Sequence, residues 1–162
     1  MKERFTTYLY SPLGFLEISG TETHVTSVLF VEEEKPSSVP VPDSLLQCKR
    51  ELEEYFAGKR KKFEAKLKPE GTDFQKSVWG QLKKLKYGDT TSYMEIAKEL
   101  ENPGSVRAVG AANGKNPIAI IIPCHRVIGG NGSLTGYAGG MWRKQWLLEH
   151  ERNVSGKKRT LF

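Results

Sequence analysis

The chain has 162 residues, enough for one moderate domain or two small ones with a genuine core. Its 25 lysines and arginines exceed its 19 aspartates and glutamates, and the net charge of +6 suits a polyanionic partner without demanding one. No stretch is long and apolar enough to cross a bilayer as a helix, and Cys48 and Cys124 are too few for a disulfide framework, which excludes a helical membrane protein and a disulfide-stapled fold.

Met1-Lys2-Glu3-Arg4 leads straight into alternating residues without an apolar leader, so retention in the cytoplasm is the expectation. Tyr8 and Tyr10, then Leu16 and Ile18, then Val25–Val31 alternate as strands do, with turns at Ser11-Pro12-Leu13-Gly14 and Gly20-Thr21-Glu22. A small antiparallel sheet is predicted. An irregular stretch with Pro36, Pro40 and Pro42 follows. Asp43 is placed to cap a helix whose apolar positions are Leu45, Cys48, Leu52, Tyr55 and Phe56, ending at Gly58. The polar segment Lys59 to Gly71 reads as a linker.

Asp73 is the expected cap of a second helix carrying Phe74, Val78, Leu82 and Leu85, broken at Gly88-Asp89. Ser92 and Glu95 form a capping box for a third helix with Tyr93, Ile96, Ala97 and Leu100 on one stripe. After the turn Asn102-Pro103-Gly104, Ser105 is expected to cap a fourth helix through about Asn113. The two short helices suggest a helix-turn-helix. The apolar run Ile118–Ile122 is read as a buried strand leading into Pro123-Cys124-His125-Arg126-Val127. A glycine-studded stretch, Gly129–Gly140, precedes a last helix from Met141 to about Glu151, and Lys157-Lys158-Arg159 reads as a loose basic tail.

Cys124 and His125 are the candidates for chemistry, set against an inert core cysteine and a surface histidine beside a turn. A thiolate is a nucleophile, and a neighbouring base makes it accessible near neutral pH. Neighbours on an extended strand point to opposite faces, so a water or a turn has to bridge the pair. His125 needs a third group to orient its ring, and Glu151 is the candidate, because a carboxylate at a helix C-terminus opposes the helix dipole and hints at another purpose. Zinc-ligand spacing is absent among His24, Cys48, Cys124, His125 and His150. The glycine stretch does not fit a dinucleotide loop, which leaves a flexible lid or a plain loop. Helix 105–113 offers one long polar side chain, Arg107, among small residues. That suits a shallow, narrow groove with one arginine filling a displaced base's place, or a packed helix with one solvated arginine.

From Phe74 to Glu151 the chain closely resembles the O6-alkylguanine-DNA alkyltransferases, the methylated-DNA–protein-cysteine methyltransferases. The resemblance rests on several blocks in order: Thr91-Ser92-Tyr93, Arg107-Ala108-Val109-Gly110, Asn116-Pro117, Ile122–Val127, Thr135–Gly140 and Trp146–Glu151. It implies an α+β fold, with a small N-terminal α/β domain built on an antiparallel, ribonuclease H-like sheet at 1–68. A winged-helix-like C-terminal domain carrying the helix-turn-helix follows at 69–155, then a basic tail at 156–162.

The resemblance further implies that Cys124 takes an alkyl group from O6 of guanine in double-stranded DNA, once and irreversibly. O4-alkylthymine is left open as a second substrate. Glu151, His125 and a water would generate the thiolate, Tyr93 would bond N3 of the flipped base, and Lys144 matches a lysine near that tyrosine. Asn116 would pin the turn around Cys124. Arg107 would fill the gap left by the base, with Ser92, Ser105, Val106, Ala108, Asn113 and Arg126 also on the DNA side. Val127, Tyr137, Ala138 and Gly139 would line the base pocket. Some relatives carry a serine where Ala138 stands, which leaves a backbone N–H as the substitute donor to O6. Others hold a zinc in the N-terminal domain, which His24 and Cys48 alone do not supply. No metal or cofactor and a monomeric state are therefore expected. A non-reactive lesion-binding relative would lack Cys124, a winged-helix regulator would need a more polar reading helix, and a cysteine hydrolase would lack the Tyr93 and Arg107 features.

Overall fold

The computed structural model describes residues 3–129 and 136–156 and divides into two compact units. One runs to Glu70 and includes Pro117–Ala119; the other comprises Gly71–Asn116 and the chain from Ile120 onwards. The basic segment 157–159 and most of the glycine stretch, 130–135, lie outside the described residues.

In the first unit, β1 (Phe5–Ser11), β2 (Gly14–Gly20) and β3 (Val25–Val31) form an antiparallel sheet in the order β1-β2-β3. Gly14, at φ +99°, closes the first turn, where Ser11 Oγ accepts from Leu13 N–H and donates to the Gly14 carbonyl. The pairs Leu9–Leu16, Thr7–Ile18 and Ile18–Val28 put one face into the core. The core face of β1 is therefore the Leu9 face. Tyr10 lies on the other side at 72% exposure, while Tyr8 is buried there with its hydroxyl on Glu17. Helix α1 (Asp43–Phe56) packs against this sheet with Leu45, Cys48, Leu52 and Tyr55. Its N-cap is Pro42, and Asp43 sits in the first turn, where a carboxylate complements the helix dipole.

The segment expected as a linker is built into this unit. Leu67 bridges Val25, and the buried Glu51 carboxylate accepts the backbone N–H groups of Glu64 and Ala65. Single-sequence polarity hides such a segment because its hydrogen bonds are made by the main chain.

In the second unit, α2 (Asp73–Leu82) is capped by Thr72 in a reciprocal box with Gln75, one residue before the expected Asp73, and it stops at Leu82. A short strand β4 (Thr91–Ser92) runs into α3 (Tyr93–Glu99), whose N-cap Ser92 accepts from Glu95 N–H. A 3-10 turn at Pro103–Ser105 leads to α4 (Val106–Gly114). Ser105 precedes that helix without a side-chain cap, its hydroxyl donating to the Asn102 carbonyl. The helix-turn-helix pair is α3 and α4, closed on α2 by Trp79 Nε1 donating to the Ala112 carbonyl at 2.8 Å.

Ile118–Ile122 is not a strand. Ile118 makes one parallel bridge to Val28, and Ile120 then adopts φ +71°, turning the chain away. A β-branched residue there costs about 1–3 kcal/mol. Ile118, Ile120, Ile121 and Ile122 are all buried, so the apolar run reports burial rather than strand. Val127–Ile128 forms β5, which pairs in parallel with β4, and α5 (Met141–Ser155) closes the unit.

Candidate active site

The turn around Cys124 follows from Pro123. Its φ of −82° and ψ of 64° form an inverse γ-turn that sends Cys124 N–H to the Ile122 carbonyl at 2.8 Å. Asn116 Nδ2 donates to that same carbonyl at 2.7 Å. Cys124–Arg126 then winds as one 3-10 turn, with Arg126 N–H on the Pro123 carbonyl and Val127 N–H on that of Cys124. Cys124 and His125 are thus neighbours on a turn, not on an extended strand.

His125 is fully buried, and its Nε2 lies 2.7 Å from Glu151 Oε2. An ionised carboxylate only accepts, so Nε2 carries the proton and the neutral ring presents a lone pair at Nδ1. That Nδ1 is buried without a protein partner. Desolvation holds the imidazole below its ordinary pKa despite Glu151, so the ring is neutral near pH 7.

Glu151 sits inside α5, which continues to Ser155, so the dipole argument that singled it out does not apply. Its neighbours are what set it apart. Arg126 Nε donates to Oε1 at 2.8 Å, Arg126 Nη2 to Oε2 at 3.1 Å, and Gly88 N–H to Oε1 at 3.3 Å. Burial alone would raise this carboxyl, but the charges and hydrogen bonds of His125 and Arg126 outweigh it and hold it well below the usual range. Arg126, expected on the DNA side, is buried instead, its Nη1 on the Leu85 carbonyl at 2.8 Å and its guanidinium 5.7 Å from the Tyr87 ring centroid. Nothing in the local sequence pointed to Gly88, Leu85 or Tyr87, which reach the site only through the 83–90 connection.

Asn113 is also withdrawn from the surface. It shares the inner side of α4 with Val109, and its Nδ2 points to the Cys124 carbonyl at 3.5 Å. The outer side of α4 presents Arg107, Ala108 and Ala111, with Ser105 and Val106 half-buried at its start. The Tyr93 ring lies 3.9 Å from where a Cβ on Gly110 would stand, so α3 meets α4 at ordinary contact distance. The β4–β5 pairing sets Thr91 beside Val127, which brings the start of α3, and Tyr93 with it, to the strand that follows Cys124.

Lys144 is fully buried in α5 and donates to the Val127 carbonyl at 2.6 Å. Desolvation lowers it to about 8, opposed by Cys124. The thiol of Cys124 is itself pushed up by burial, with offsets from an Asn116 hydrogen bond, the Lys144 charge and a backbone hydrogen bond. At rest it is a protonated thiol beside a neutral base and a cation. Tyr137 is half-buried and Ala138 exposed, with Gly139 between exposed and buried. No group of three histidine, cysteine or acidic side chains among the described residues could hold a metal. Cys48 is buried and pushed up to about 12 by desolvation first and Glu51 second, which makes it a poor ligand.

The chain matches two family descriptions: 6-O-methylguanine DNA methyltransferase, ribonuclease-like domain, over residues 5–69, and the DNA binding domain of the same family over residues 73–153. A methylated-DNA–protein-cysteine methyltransferase of Methanosarcina acetivorans is 51% identical over 148 residues, covering 87% of this chain and 94% of the relative. A Mycobacterium tuberculosis O6-methylguanine methyltransferase crystal structure superposes with a TM-score of 0.84 at 42% identity, covering 94% of each chain. Mycobacterium tuberculosis OGT in complex with DNA gives 0.83 at 45%, covering 91% of this chain and 92% of that one.

Proposed function

Because the chain belongs to the 6-O-methylguanine DNA methyltransferase family, whose members act in DNA repair by moving a methyl group to cysteine, we propose that Cys124 is the acceptor and O6-alkylguanine in duplex DNA the substrate. The observation that carries this reading is the Cys124–His125–Glu151 cluster: a buried thiol one residue from a neutral imidazole whose Nε2 is held by Glu151 and whose buried Nδ1 has no protein partner.

The thiol proton passes through a water to His125 Nδ1, and Glu151, kept ionised by Arg126, stabilises the imidazolium. Sulfur attacks the saturated carbon on O6; the S–C bond forms as the C–O6 bond breaks. Tyr93 donates a hydrogen bond at N3, which eases departure of the guanine anion, and the Lys144 cation favours both the thiolate and that anion. Asn116 fixes the turn through the Ile122 carbonyl. Val127 and the Tyr137–Gly139 segment bound the base pocket. Water has no comparable route to cleave a thioether, so each molecule acts once; the transfer as written calls on one copy of the chain and on no cofactor.

The outer side of α4 enters the minor groove with Arg107 in the space of the extruded base, flanked by Ser105, Val106 and Ala108. The Ser92 hydroxyl, which accepts from Glu95 N–H, keeps its own proton for a phosphate. Arg126 and Asn113 take no part in this face. Cys124→Ala tests the assignment: it should bind lesion-bearing duplex and transfer nothing, and transfer at the wild-type rate in that variant would remove Cys124 as acceptor.

A further inference from the structure

Arg143 has no part in the chemistry above, yet it ties down the segment that the transfer reading sets against the base. Tyr137 accepts the Gly140 N–H at 2.8 Å, closing a turn with Ala138 and Gly139 at its corners. Gly140, at φ +96°, starts α5 by accepting the N–H groups of Arg143 and Lys144. Arg143 then folds back: Nη1 donates to the Gly139 carbonyl at 2.8 Å, and its guanidinium carbon lies 4.7 Å from the Trp142 ring centroid. Such a cation–aromatic contact restricts the long side chain and so the carbonyl it holds. The next residue, Lys144, grips the Val127 carbonyl after the Cys124 turn. Consecutive residues of α5 therefore hold the 137–140 turn and the strand that follows Cys124, which sets these two segments near each other.

Ala138 gives this tether its importance. A serine hydroxyl at that corner could re-aim by rotating about χ1, but a backbone N–H cannot. A main-chain donor is only as well aimed as the turn that carries it, and donors that stabilise a developing oxyanion must be held in place beforehand. We propose that Arg143, braced on Trp142, is a positioning residue that fixes the Tyr137–Gly140 turn so that a backbone N–H meets O6 of the departing guanine. This rests on the transfer reading of Cys124.

The test measures the concentration dependence of Cys124 alkylation by free O6-benzylguanine in wild type, Arg143→Ala, Arg143→Lys, Ala138→Ser and the Arg143→Ala/Ala138→Ser double variant. Arg143→Ala should lower the limiting rate roughly tenfold or more with the half-saturating concentration, the pH profile and affinity for unmodified duplex unchanged. Arg143→Lys should keep part of the rate. Ala138→Ser should recover most of the loss in the Arg143→Ala background, because a rotatable hydroxyl no longer depends on the turn. A wild-type limiting rate in Arg143→Ala, or no recovery in the double variant, overturns the proposal. An unalkylated wild type would instead sink the transfer reading on which it stands.

Discussion

Replacing Glu151 with glutamine should unseat the buried cluster behind Cys124. The carboxylate meets donors from His125, Arg126 and Gly88 at 2.7 to 3.3 Å. An amide has one acceptor oxygen, and its NH2 must then face one of two Arg126 nitrogens, donors that cannot reverse. Arg126 is 5% exposed, so water cannot take up the lost bond. Breaking a buried pair of this kind costs about 3–5 kcal/mol. Because Glu151 is held below its unfolded value, its contribution is fully present above the ordinary carboxylate range and fades only as pH falls through its low folded value. The deficit should therefore be constant from about pH 5 to 7. The amide also lets His125 adopt the tautomer without a lone pair at Nδ1, so transfer should slow by about a hundredfold or more. Urea unfolding at pH 6.5 and transfer from methylated duplex measure the two effects. A loss of stability under about 1 kcal/mol, below what any broken buried pair gives, would refute the reasoning.

Arg107→Ala should slow repair in duplex DNA more than reaction with free O6-benzylguanine, since only the duplex has a gap to fill; equal losses would count against that role. Affinity for duplex should fall steeply as salt rises, through release of counterions, and a flat response in a titration would argue against phosphate contacts. Lys144, lowered to about 8, imposes the cost of a buried ammonium below that pH, and the cost is relieved as pH rises toward the free-lysine value. Wild type should gain up to about 3 kcal/mol relative to Lys144→Met between pH 8 and about 10.4, and parallel stability curves would contradict the burial argument.

The elements with strong period were legible in the chain. The alternation around Leu16, Ile18 and Val28 gave the sheet, and the spacing of Leu45, Cys48 and Leu52 gave α1. What failed depended on tertiary context. Ile118–Ile122 looked like a strand because burial and strand formation leave the same apolar trace over so short a run. Arg126 and Asn113 were expected on the DNA side because the resemblance implied it, but Glu151 and the Cys124 carbonyl hold them inside. Glu151 was found for the wrong reason: its value lies in its partners and not in a helix terminus. The Gly139–Arg143 tether left no sequence signal, because its acceptor is a backbone carbonyl.

The most direct measurement is the intact mass of the protein after mixing with duplex DNA carrying one O6-methylguanine, followed by peptide mapping. The account predicts a single methyl gain, confined to the peptide that contains Cys124 and matched by an equal amount of restored guanine. An unchanged mass with the lesion still in the DNA, or a methyl group on Cys48, would contradict it.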